Sequence, residues 1–110
     1  MPYIQRAITP ILKQRVSTSK CMLLVGARQV GKSTLIKHEF KDFNRANFDD
    51  RLTRMQAKEE PKLFLLNNPQ PLFIDEVQKE SSILEDIKQI VDESDERGMF
   101  LLSGSQKLEL

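Results

Sequence analysis

Gly26-Ala27-Arg28-Gln29-Val30-Gly31-Lys32-Ser33 is the stretch whose reading decides the fold. Two glycines bracket four residues and a Lys-Ser pair follows, the spacing G-x-x-x-x-G-K-[ST] without a departure. Each residue type has a physical reason. Gly26 lets the chain turn sharply, and Gly31 lets the backbone come close to a bound group. The N–H groups of the loop, Ala27, Arg28, Gln29 and Val30 included, then face inward as an anion nest. The positive end of the following helix backs that nest. Lys32 adds a point charge for β- and γ-phosphates, and the Ser33 hydroxyl is a hard oxygen ligand suited to Mg²⁺. Thr34 falls in the first helical turn and closes this set.

The flanks supply the context such a loop needs. Lys20 to Val25 (K-C-M-L-L-V) is a short apolar run that stops at glycine, the pattern of a strand buried on both faces. Downstream, a helix is expected from about Lys32 through Leu35, Ile36 and Phe40. Arg45 to Asp49 reads as a weaker strand. Residues 51–67 read as helical, with Pro61 at a helix start and Leu63, Phe64, Leu65 and Leu66 as the buried side. Pro71 introduces Leu72-Phe73-Ile74, a second buried strand that ends in Asp75-Glu76.

Ser82-Ile83-Leu84-Glu85 has the spacing of a capping box, and Ile83, Leu84, Ile87, Ile90 and Val91 form one apolar stripe behind it. After Gly98, Met99 to Leu102 reads as a third buried strand that runs into Ser103-Gly104-Ser105. At the N-terminus, Ile4, Ala7, Ile8, Ile11, Leu12 and Val16 recur at helical spacing. Thr9-Pro10 either kinks that helix or caps and starts a second one. Strands alternating with helices imply βαβ units and a parallel sheet, an α/β fold.

Parallel strands deliver their C-terminal ends to one edge of the sheet. Asp75 is expected there beside the phosphate-binding loop, holding Mg²⁺, and Glu76 is free to polarise an attacking water. Ser103 or Ser105 would approach the γ-phosphate or that water from the third strand. Gln78, Arg28 and Gln29 are polar near the expected site, yet on the residues alone each reads as surface. His38 and the lysines at 37, 41 and 58 read as solvated.

Bulk properties bound the rest. A chain of 110 residues allows one domain. With 17 basic and 16 acidic residues the net charge is +1, which gives no long-range field for nucleic acid. The single Cys21 fits a reducing compartment and reads as a small buried hydrophobe at a strand start. No run is long and apolar enough to span a bilayer and no signal peptide is visible, so the expected location is the cytoplasm.

Taken together these motifs give a family resemblance. The chain resembles the bacterial and archaeal AAA-type ATPases whose loop reads G-x-R-Q-V-G-K-[ST] and whose second motif reads D-E-[VI]-Q. Gly26 to Ser33, Asp75 to Gln78, and L-L-S-G-S at 101–105 line up in order, as do Tyr3-Ile4-x-Arg6 and Asn47-Phe48-Asp49-Asp50. The resemblance implies a P-loop NTPase fold, three αβα layers with strand order 2-3-4-1. It implies Lys32 and Ser33 on phosphate and Mg²⁺, Asp75 on the metal, Glu76 as the catalytic carboxylate, and Ser103 at the sensor position, where the family usually has threonine. The loop from Gly26 through Thr34 would bind ATP. Family members continue into a fifth strand, an arginine-bearing segment and a C-terminal domain. The chain is therefore expected to be one ATP-binding domain, with a helical segment at 1–18 and a core at 20–105. It would be the N-terminal piece of a longer protein, with the first strand left as an open apolar edge. Against this reading stand a GTPase, which lacks an N-K-x-D motif here, a small-molecule kinase, and a non-catalytic nucleotide-binding module.

Overall fold

The structure is a computed structural model that describes residues 9–25 and 32–104. Four strands form one parallel sheet. They are β1 (Cys21–Val25), β2 (Asn44–Asn47), β3 (Leu72–Asp75) and β4 (Phe100–Gly104), in the order β1-β4-β3-β2. Read from the other edge this is 2-3-4-1, the expected order.

Helices cover both faces. The alternation of side chains along a strand divides the core in two. Phe73 of β3 and Leu101 of β4 point to the face where Val16 of α1 (Thr9–Thr18) and Ile36 of α2 (Lys32–Glu39) pack, with Phe40 just beyond α2. Leu72, Ile74, Phe100 and Leu102 point to the other face. There they meet Ala57 of α3 (Arg51–Glu59), Phe64 and Leu65 of α4 (Pro61–Asn67), and Ile83 and Ile87 of α5 (Ile83–Asp92). The result is the three-layer α/β architecture of P-loop NTPases. A 3₁₀ turn (Val77–Glu80) links β3 to α5.

Several local expectations are refined or corrected. The 51–67 segment is helical as expected, in two helices that part at Glu60, with Pro61 starting α4 because it donates no N–H back to the turn before it. Within α4 only Phe64 and Leu65 are buried, while Leu63 and Leu66 are 45% and 76% exposed. Four consecutive residues span more than one turn, so they cannot share a face. The capping box at Ser82 does not form. Ser82 already has right-handed helical dihedrals (φ −60°, ψ −22°) because it follows the 3₁₀ turn, and its hydroxyl donates to Glu80 instead. β1 is less buried than its sequence suggests: Cys21, Met22 and Leu24 are half-buried and Leu23 is 38% exposed. The third expected strand is present as β4, which runs on through Ser103 to Gly104.

Candidate functional site

The parallel register brings the C-terminal ends of the strands to one edge. Leu72, Phe73 and Ile74 pair with Phe100, Leu101 and Leu102. One step further along stand Asp75 on β3 and Ser103 on β4. By alternation both side chains leave the sheet on the Phe73/Leu101 face, the face that α2 covers. They meet: the Ser103 hydroxyl donates to Asp75 Oδ1 at 2.6 Å. Ser103 is completely buried and Asp75 half-buried. A hydroxyl-to-carboxylate bond of this length is charge-assisted, and roughly twice as strong as a neutral one.

On its other side Ser103 is paired with Leu24 of β1, and Gly104 with Val25. β1 therefore ends at Val25 on the strand next to Ser103, and α2 begins at Lys32. Ala27, Arg28, Gln29 and Val30, with Gly26 and Gly31, lie outside the described residues. Lys32, Ser33 and Thr34 open α2, a helix that packs through Ile36 on the same face as Asp75 and Ser103. A helix N-terminus is the element that a phosphate site requires.

Glu76 is separated from Asp75 by a change of backbone state. Its φ of 56° and ψ of 46° place it in the left-handed region, at a cost of about 1–2 kcal/mol for a residue with a Cβ. Its carbonyl accepts from the Lys79 N–H at 3.1 Å, which starts the 3₁₀ turn. The residue is only 7% exposed. A carboxylate so buried requires donors, and Gln78 Nε2 supplies one to Glu76 Oε1 at 2.8 Å. The sequence reading took Gln78 as a surface residue; it is half-buried and turned onto Glu76. The signal available was its position two residues after an acid in D-E-V-Q.

Neighbouring acids have other employment. Asp50 caps α3 by accepting from the Thr53 N–H at 3.3 Å, and Asp49 pairs with Lys79 at 2.5 Å, which ties the 3₁₀ turn to the loop after β2. His38, 60% exposed, pairs with Glu39 on the outer side of α2. Among the described residues no group of three or more His, Cys, Asp or Glu gathers as a metal cage. No helix among them is long and apolar enough to cross a membrane.

A parallel α/β sheet that ends one strand in two consecutive acids, with a single strand between it and the strand preceding a glycine-rich sequence, has the fold of the P-loop class of nucleotide-binding domains. The family model for the AAA domain matches residues 18–110, and the chain belongs to that family. It is accordingly a nucleotide-binding module of ATPase type. Comparison with curated proteins and with solved structures returned no match.

Proposed function

We propose that the domain binds ATP with Mg²⁺ and hydrolyses it to ADP and phosphate in the cytoplasm. The nucleotide state would drive a partner protein or a further domain beyond the 1–110 unit. The observation that carries this reading is the division of labour at the end of β3. Asp75 stays on the strand, oriented by Ser103, while Glu76 leaves it through a left-handed residue and points its carboxylate elsewhere.

Residues 26–34 would bind the triphosphate, with the Lys32 ammonium on the β- and γ-phosphates. Ser33 and Asp75 would hold Mg²⁺, which when bound neutralises charge on the phosphate oxygens. The donor set fits that ion. Mg²⁺ keeps several waters and takes one or two protein oxygens, so the Asp75 carboxylate oriented by Ser103 at this edge suits it. Glu76 would act as the base. As a water oxygen attacks the γ-phosphorus and the bond to the β–γ bridging oxygen breaks, the water proton passes toward the Glu76 carboxylate and ends on the released phosphate. Ser103 contributes at the sensor position; in this arrangement its proton is given to Asp75, so its action on the phosphates runs through the orientation of that acid.

Charge-assisted contacts to phosphate contribute about 1.5–3 kcal/mol each. Lys32→Ala should therefore weaken ATP binding by at least tenfold in a calorimetric titration. Equal affinity would remove the loop from the reading. Phosphate release assayed in parallel with ATP and GTP distinguishes this function from a GTPase, and binding without release would leave a nucleotide-binding module only.

A further inference from the structure

Gln78 stands outside every role assigned so far, yet it makes a direct contact with the acid proposed to activate water. Its side chain is half-buried, and its amide nitrogen donates to Glu76 Oε1 at 2.8 Å across only two positions of sequence. The contact is made where the chain has already left β3 and entered the 3₁₀ turn. It exists because Glu76 is left-handed, which folds the chain back at the end of β3 and opens the 3₁₀ turn that carries Gln78. Val77, between the two, is fully buried and anchors the turn in the core below α3 and α5. The Lys79–Asp49 ion pair fixes the far end. The backbone on both sides of Gln78 is thus held by the fold, and from it the amide reaches the Glu76 carboxylate. Held strain at a non-glycine residue of a functional site is a reason to look for a function.

We propose that Gln78 is a positioning residue for Glu76. Its amide selects one orientation of the carboxylate and presents it to the attacking water. The proposal rests on the reading of Glu76 as the base, and it assigns Gln78 no contact with nucleotide. A general base acts only from within hydrogen-bond reach of the proton it takes, and an acid free to rotate spends part of its time out of reach.

The test uses Gln78→Met, which keeps length and removes the donor, and Gln78→Glu, which keeps shape and sets a second carboxylate against the first. The expected result is a fall in kcat of at least tenfold for Gln78→Met and a larger one for Gln78→Glu. KM for ATP and the rise in melting temperature on adding ATP with Mg²⁺ should stay as in wild type. In the Glu76→Gln background, which binds ATP without turning it over, Gln78→Met should leave ATP affinity and the ligand-induced rise in melting temperature unchanged. A purely structural role would instead lower the ligand-free melting temperature and raise KM together. Unchanged kcat in both Gln78 variants, with Glu76→Gln inactive, overturns the positioning role alone. If Glu76→Gln retains full turnover, or wild type has none, the reading of Glu76 as base fails and the proposal falls with it.

Discussion

The inner and outer strands of this sheet are built differently, and the difference locates the site. β3 and β4 are buried almost without remainder: Leu72, Phe73, Ile74, Phe100, Leu101, Leu102 and Ser103 are each 2% exposed or less. β1 is as apolar in sequence, yet none of its residues Cys21 to Leu24 is fully buried, and an open groove of about 570 Å³ lies along it between Cys21, Leu23, Leu84, Lys88 and Leu102. β2 reads N-R-A-N and buries only Ala46. Apolar composition thus measures a strand's tolerance of burial, and the number of neighbours decides how much occurs. Asp75 and Ser103, which the proposed function needs held in position, sit at the ends of these two buried strands.

The largest expected effect is on stability, and it tests the contrast directly. Phe73→Ala removes a ring from the packed face under α1 and α2, and should cost about 3–5 kcal/mol. Leu23→Ala, on the outer strand at 38% exposure, should cost about 1 kcal/mol or less because much of its surface is already in water. Urea unfolding with unchanged m-values measures both. Equal losses would mean that the outer strand is as constrained as the inner ones.

Next come the two acids, which share one peptide bond and differ in their supports. Glu76→Gln should retain nucleotide binding and lose hydrolysis, because the amide cannot take a proton. Asp75→Asn should chiefly weaken the Mg²⁺ dependence of binding, because it removes charge at the metal. Nucleotide titrations with and without Mg²⁺, beside phosphate release, separate the two. Identical binding defects would show a structural acidic turn in place of a divided site.

Ser103→Ala sharpens the same contrast with a smaller change. It removes the donor to Asp75 at the centre of the sheet, with loss of a hydrogen bond to a charged group worth about 1.5–3 kcal/mol. Part of that should appear as reduced stability and part as a several-fold weaker Mg²⁺-dependent affinity, whereas Mg²⁺-free binding should hold. A loss of hydrolysis with affinity and stability intact would place the hydroxyl on the phosphate or the water and not on Asp75.

Much of this was legible from sequence for a physical reason. The apolar runs L-F-I and F-L-L are long enough to name a strand and too short for a helix, and the acids and serine that follow them mark the ligand edge. The strand order was legible through the family resemblance, because no residue pattern in a parallel sheet encodes which strand is neighbour to which. Illegible were features set by a neighbour in space. Leu63 and Leu66 look like core until the helix is phased by what Phe64 packs on. Ser82 looks like a cap until the preceding 3₁₀ turn makes its backbone helical. Gln78 looks like surface because its partner is reached only through the left-handed Glu76, and no local propensity announces that conformation at a glutamate.

The smallest expected effect lies at the margin, in Cys21 at the start of β1. Burial against the α5 face pushes its thiol up to about 11, above the ordinary value near 8.5. The folded state thus favours the neutral thiol, while the unfolded chain ionises at its ordinary value. The associated stability is fully present below about pH 8.5, and declines as pH rises from there through about 11, since only the unfolded thiol ionises readily in that window. Two consequences follow. Native protein at pH 8 should react with a thiol reagent far more slowly than urea-unfolded protein, since the thiolate is the nucleophile. Unfolding free energies should also fall more steeply between pH 8.5 and 10 in wild type than in Cys21→Ala, whose curve lacks this titration. Rapid native labelling, or parallel pH profiles for the two proteins, would show that water reaches the thiol through the groove. The outer strand would then be open to solvent on the α5 side as well, which widens its contrast with β3 and β4.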